Sequence, residues 1–260
     1  MTAMPKTPVA RTTVEGGLQS VLTALDVLDC FTSDEELGIS EVARRVGVAK
    51  STAHRLLTTL CARGMAEQNP ETGRYRLGMR LFALGQLAAS RSRMHRLALP
   101  LLAELKQRTG DTIHLAIPDG VDMLYVERLE TFREMPLMSA VPRRIPCHAT
   151  SSGKAVAAFD EKLATARVTA GLTKATASTL VNPVQYRADL QATRRRGYAV
   201  SVDETVVGLT SVAAPVFDHA GKACAAISIV GPTSRILGHV GSPARLVQTA
   251  AGRLAKQLCL

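Results

Sequence analysis

Lys50, Ser51, Thr52, His54 and Arg55 are crowded into residues 50–55, where they offer an ammonium, a guanidinium, hydroxyls and an imidazole. Such donors and acceptors suit phosphate oxygens and the edges of bases. A second cluster, Ala149-Thr150-Ser151-Ser152-Gly153, sets hydroxyls and backbone N–H groups at the start of a helix-forming stretch. That arrangement fits a bound carboxylate, and equally fits plain helix capping. The same cluster runs into Ser151-Ser152-Gly153-Lys154, the S-x-x-K spacing in which a lysine activates a serine nucleophile, with His148 beside it as a candidate base. Its companion S-D-N and K-T-G triplets are absent, as are G-x-S-x-G, H-E-x-x-H and P-loop motifs. A serine hydrolase is therefore the minor alternative; the expectation is no enzyme, no catalytic residue, no cofactor and no metal.

The first cluster needs a scaffold, and the flanking residues supply one. Ser40 is placed to cap a short helix running to Val46, and Gly47 to stop it in the left-handed conformation. A second helix is predicted over residues 50–63, with Ala53, Leu56, Leu57 and Leu60 at i, i+3, i+4 and i+7 forming its buried stripe. Lys50, Ser51, Thr52, His54 and Arg55 then share the opposite face, with Ser51 and Thr52 near the N-terminus, where the helix dipole favours phosphate. Strand-like runs at 65–69 and 74–77 flank Pro70-Glu71-Thr72-Gly73, a hairpin signal that puts Arg74 and Arg76 on a wing. Upstream, Leu18, Val21, Leu22, Leu25, Leu28 and Phe31 are expected to form a first helix closing this small core. Residues 40–80 hold eight basic residues (Arg44, Arg45, Lys50, Arg55, Arg63, Arg74, Arg76, Arg80) against three acidic ones (Glu41, Glu67, Glu71), a net +5. The pattern reads as a winged helix-turn-helix whose DNA contacts are Arg44, Lys50, Ser51, Thr52, His54, Arg55, Arg74 and Arg76.

Residues 79–93 read as a linker helix with Leu81, Phe82, Leu84, Leu87 and Ala88 apolar, followed by a helix over 94–109 that stops at Gly110. Beyond it the period shifts to strands at 113–117, 123–128, 135–141, 198–201, 211–217 and 222–230. Helices are expected near 152–159, over 161–169, from Asn182-Pro183 to Gly197, and from Ser242-Pro243 to the end. Hairpin turns at Pro118-Asp119-Gly120 and Asp218-His219-Ala220-Gly221 imply antiparallel pairing. The fold class is α+β: 1–17 a flexible tail, 18–78 the winged helix-turn-helix, 79–93 the linker, 94–260 a second domain.

Residues 40–57, with Arg63-Gly64 and Pro70-Glu71-Thr72-Gly73-Arg74-Tyr75-Arg76-Leu77-Gly78, closely resemble the isocitrate lyase regulator (IclR) family of bacterial transcription factors. The resemblance continues in order through His148-Ala149-Thr150-Ser151-Ser152-Gly153-Lys154-Ala155, Gly197-Tyr198-Ala199-Val200, Val212-Ala213-Ala214-Pro215-Val216-Phe217-Asp218 and Ile227-Ser228-Ile229-Val230-Gly231-Pro232, covering residues 18–260. It implies a GAF-like C-terminal effector-binding domain with an antiparallel sheet and a ligand cavity on one side. Homodimers or homotetramers are also implied, with the apolar stripe of the linker helix as an interface. Carried over by position, the effector site would comprise Ala149, Thr150, Ser151, Ser152, Gly153, Asp203, Ser211, Ser228 and Val230. The family often has cysteine where Ser211 stands and serine where Val230 stands; losing that polar anchor leans toward a bulkier, partly apolar acid such as an aromatic carboxylate.

Composition agrees. A chain of 260 residues holds two modest domains, and a net charge of +10 suits a polyanion. Five scattered cysteines with no C-x-x-C spacing indicate reduced thiols, hence the cytoplasm, and no apolar run is long enough for a membrane span. The expected partners are a double-stranded DNA operator, a small carboxylate effector, further copies of the chain and RNA polymerase, and no membrane. The competing reading is a constitutive DNA-binding protein whose second domain only oligomerises.

Overall fold

The computed structural model describes residues 16–32, 34–130 and 143–259. The chain divides into two compact units, Met1–Ser90 and Arg91–Leu260.

In the first unit α1 (Gln19–Asp29), α2 (Ile39–Val46) and α3 (Lys50–Ala62) precede a hairpin of β1 (Ala66–Gln68) and β2 (Tyr75–Leu77), after which α4 runs Met79–Arg91. Val27, Cys30, Phe31, Leu37, Val42, Val46, Ala53, Leu57 and Tyr75 form the core. Leu37 pairs with Tyr75 through both backbone bonds, at 2.9 and 2.8 Å, so the wing is anchored to the segment before α2. Two expectations are corrected. Ser40 lies inside α2; the helix starts after Gly38, whose N–H donates to the Glu41 carboxylate at 2.8 Å, so glutamate does the capping from the third position. Leu18, Val21 and Leu25 of the expected core stripe are exposed, and α1 instead buries Thr23 and Val27. Thr23 is tolerated there because its hydroxyl donates to the Gln19 carbonyl at 2.7 Å.

In the second unit α5 (Arg93–Thr109), N-capped by Ser92, leads into β3 (Thr112–Asp119), β4 (Asp122–Leu129) and β5 (Arg143–Pro146). Then come α6 (Ser151–Ala157), α7 (Glu161–Thr169), α8 (Pro183–Arg196), β6 (Ala199–Val202), β7 (Leu209–Phe217), β8 (Ala223–Pro232), α9 (Thr233–Ile236) and α10 (Gly241–Cys259). The six strands pair antiparallel in the order β5-β4-β3-β8-β7-β6. The linker helix ends two residues earlier than expected because Ser92 caps the next helix, and the last helix starts just before Ser242. The strand expected at 135–141 lies outside the described residues, as do the first 15 residues.

Alternation along the strands sends Ile113, Leu115, Val212, Ala214, Ile227 and Ile229 against α5 and α10. The other face presents Ala116, Ala213 and Ala226 to the core beneath α6, α7 and α8. That second face holds the pocket described below.

Candidate functional site

On α3, Ala53 and Leu57 are fully buried, and Lys50, Ser51, Thr52, His54 and Arg55 are all exposed. Arg44, in the last turn of α2, is exposed as well. Ala49 precedes α3 without a side-chain cap, so the positive end of the helix stands beside Ser51 and Thr52. Gly47, at φ 69°, makes the tight turn between the two helices.

The wing arginines are placed differently. Arg74 donates to the Glu41 carboxylate at 2.8 Å and to the Glu36 carbonyl at 3.0 Å, stitching the hairpin to the start of α2. The bond from Gly38 and the neighbouring Arg74 hold the Glu41 carboxyl below its ordinary value. Arg76 pairs with Glu67 at 3.2 Å across the hairpin. Arg45, buried more deeply, donates to the Cys30 carbonyl at 3.1 Å and pairs with Asp34 at 2.7 Å. Among the described residues Arg44, Lys50 and Arg55 are exposed and form no ion pair with a carboxylate. Arg74 and Arg76, expected to hold DNA backbone or enter a minor groove, thus each carry an ion pair within the unit.

In the second unit a small cavity of about 40 Å³, partly open to solvent, is lined by His114, Tyr125, Ile145, Thr150, Ser201, Thr205, Val206, Leu209, Ser211 and Val230. Of the expected effector residues, Thr150, Ser211 and Val230 are in this lining. The others are not in the lining. The Ala149 carbonyl accepts from Thr205 at 2.7 Å and Ser201 at 3.2 Å, pinning two lining hydroxyls. Gly153 packs so closely on the Cys147 backbone that a Cβ there would collide with it. Its N–H donates to the Thr150 hydroxyl at 3.0 Å, so capping of a seven-residue helix accounts for the loop. Ser151 and Ser152 are buried. Asp203, at φ 58°, accepts from Gly208 at 2.9 Å and Thr233 at 2.6 Å and closes the β6–β7 loop. Ser228 is fully buried on the pocket face, directly opposite His114 in the β3–β8 ladder, with its hydroxyl unpartnered.

The S-x-x-K reading fails on geometry. The Lys154 ammonium, 1% exposed, lies 2.5 Å from Glu204 and 2.9 Å from Asp189 and is engaged by these carboxylates rather than by Ser151. His148 Nε2 donates to the Thr173 carbonyl at 3.0 Å, and its buried Nδ1 has no partner, so it does not contact the serines.

His114 and the Lys154–Glu204–Asp189 cluster were not foreseen. His114 sits inside the apolar run Ile113–Ile117; only the strand pairing reveals that it turns toward a cavity. Burial, aided by the positive Arg128 on the neighbouring strand, pulls its imidazole down to about 3.

Residues 20–70 match the IclR helix-turn-helix domain, and residues 86–256 match the bacterial transcriptional regulator IclR C-terminal domain. The chain belongs to the IclR family. It is 38% identical over 225 residues to the HTH-type transcriptional regulator XynR of Escherichia coli, spanning 84% of this chain and 88% of that protein. It is 37% identical over 223 residues to the regulator BhcR of Paracoccus denitrificans, spanning 85% and 80%. Among solved structures, an IclR homolog from Microbacterium hydrocarbonoxydans complexed with 4-hydroxybenzoate superposes with a TM-score of 0.81 at 27% identity, covering 92% of this chain and 99% of that one. The IclR-family C-terminal match spans β3 to β8, which carry the pocket; the helix-turn-helix match ends before Arg74 and Arg76. The protein is therefore a transcriptional regulator with a helix-turn-helix DNA-binding domain.

Proposed function

We propose that the protein reads a double-stranded operator through the exposed face of α3 and that a small carboxylate, aromatic or similarly apolar, bound in the second unit sets its operator affinity. The observation that carries the reading is the division of α3 into a buried stripe and an unpaired basic and hydroxyl face. For the effector, the support is a pocket combining Thr150, Ser201, Thr205 and Ser211 with Tyr125, Ile145 and Val230, together with a structural neighbour that binds 4-hydroxybenzoate. The effector acts only through its differential affinity for two arrangements of paired DNA readers.

Homodimers or homotetramers supply that pairing. Leu18, Val21 and Leu25 on or beside α1, and Met79, Phe82, Leu84 and Leu87 on α4, are apolar and exposed, as surfaces that meet another chain are. Activation, where it occurs, would use contacts to RNA polymerase. The cytoplasm suits this role and the five free thiols; no helix among the described residues is long and apolar enough to cross a membrane. The division into a tail (1–17), a DNA reader (18–78), a linker (79–93) and an effector domain (94–260) belongs to the same reading.

The constitutive alternative has a cost: an oligomerisation core gains nothing from burying His114 and Ser228 unpartnered beside a cavity. The test is fluorescence anisotropy of an operator selected from genomic DNA, titrated with and without benzoate-type acids. A shift in operator affinity supports the reading; identical affinity with a calorimetrically bound acid contradicts it.

A further inference from the structure

The polar inventory of the pocket is uneven. Ser201 and Thr205 direct their hydroxyl protons at the Ala149 carbonyl and so present only lone pairs to the cavity. The Thr150 hydroxyl accepts from Gly153 and keeps its own proton to donate. None of the described residues lining the pocket bears a carboxylate, ammonium or guanidinium.

His114 differs from all of these. It is 4% exposed, lines the pocket from β3, and neither ring nitrogen has a hydrogen-bond partner. Its ring is set by an edge contact with Tyr125, at 5.0 Å between centroids and 86° between planes. Leaving a buried polar group without a hydrogen-bond partner is destabilising. In a packed interior that cost selects against histidine, so its presence at a cavity wall indicates a partner that arrives from the cavity. A neutral imidazole brings one N–H donor and one nitrogen acceptor. This combination matches a hydroxyl, which both donates and accepts, or a carbonyl.

Resting on the carboxylate reading above, we infer that His114 is a specificity-determining residue that hydrogen-bonds a hydroxyl or carbonyl substituent of the bound acid, so that hydroxy or oxo acids are preferred to the unsubstituted acid of the same shape. Recognition through a polar group that would otherwise be left unpaired discriminates far more strongly than an apolar wall does.

The test is calorimetric titration of the full-length protein with benzoate and its 2-, 3- and 4-hydroxy derivatives, and with propionate against lactate and pyruvate. Wild type should bind at least one substituted acid roughly tenfold or more tightly than its parent. His114→Phe, which keeps a ring against Tyr125, should abolish that margin and leave the parent's affinity nearly unchanged; His114→Gln, which retains a donor and an acceptor, should keep part of it. Parent acids that bind with no margin in wild type, or a margin that survives in His114→Phe, overturn the inference and leave the carboxylate reading standing. Failure of every acid to bind overturns both. Should His114→Phe not fold, His114→Gln decides: a reduced margin there supports the inference, and a margin retained in full overturns it.

Discussion

In the first unit the residues proposed to meet DNA, Lys50, Ser51, Thr52, His54 and Arg55, stand in solvent while Ala53 and Leu57 face inward; in the second unit the polar groups of His114, Ser228, Lys154 and Glu204 are themselves buried. A duplex is large and charged, so reading it needs only a surface on which cations lack competing carboxylates. A small molecule must be surrounded, so its partners are placed inside the sheet, and every buried polar group becomes a stability question as well as a binding one. Substitutions of comparable size should therefore separate stability from binding in the first unit and mix them in the second.

The sharpest break of that contrast is Lys154→Met. It strands Glu204, 7% exposed, without its cation and leaves Asp189 only Arg196 at 3.8 Å, and breaking a buried pair costs about 3–5 kcal/mol. Chemical denaturation should show this loss although Lys154 is outside the pocket lining; a change below ~1 kcal/mol would mean that the cluster behaves like a surface pair.

Next in size are Arg55→Ala and Thr52→Ala, each expected to weaken specific operator binding by roughly 1–3 kcal/mol where the side chain meets a base edge. Both side chains are exposed, so denaturation midpoints should hardly move. Wild-type affinity in both would place the reading surface elsewhere. Arg74→Ala sharpens the comparison further. Because Arg74 is already engaged by Glu41 and Glu36, its removal should loosen the wing by ~1 kcal/mol or less and lower affinity for all sequences without changing the salt slope. Lys50→Ala, by contrast, should reduce that slope by about one if it meets phosphate. A flattened slope in Arg74→Ala would restore direct phosphate contact.

A further effect is in pH. His114 is pulled from 6.5 to about 3 by burial and then by Arg128, and His148 is lowered by burial. Below 6.5 the unfolded chain takes up protons that the folded chain refuses, so this contribution is complete above 6.5 and is lost as pH falls toward 3. His114→Phe should therefore lose less stability than wild type between about pH 7 and pH 5, as read from denaturation midpoints; parallel curves would contradict the assigned burial.

Much of this was legible in the sequence, and the failures are informative. The periodicity of Ala53, Leu56, Leu57 and Leu60 identified the face of α3 because a helix exposed on one side writes its burial into a 3.6-residue repeat. The strands buried on both faces write no such repeat: in Ile113–Ile117 nothing marks His114 as cavity-facing until β3 is registered against β8. Charge was legible as composition but not as pairing. Arg74 resembles a free cation until the fold brings Glu41, 33 residues away, beside it. Of the residues that family resemblance put at the effector site, Thr150, Ser211 and Val230 line the pocket and Asp203 braces the loop after β6, a difference that only the folded chain makes visible.

The central claim is that one chain couples operator reading to an acid bound in the other unit. Its most direct test is selection of bound DNA from a genomic library at physiological salt, repeated with each acid of the benzoate and propionate series. The account predicts a palindromic site whose occupancy changes with one of them; salt-sensitive binding with no sequence preference and no response to any acid would contradict it.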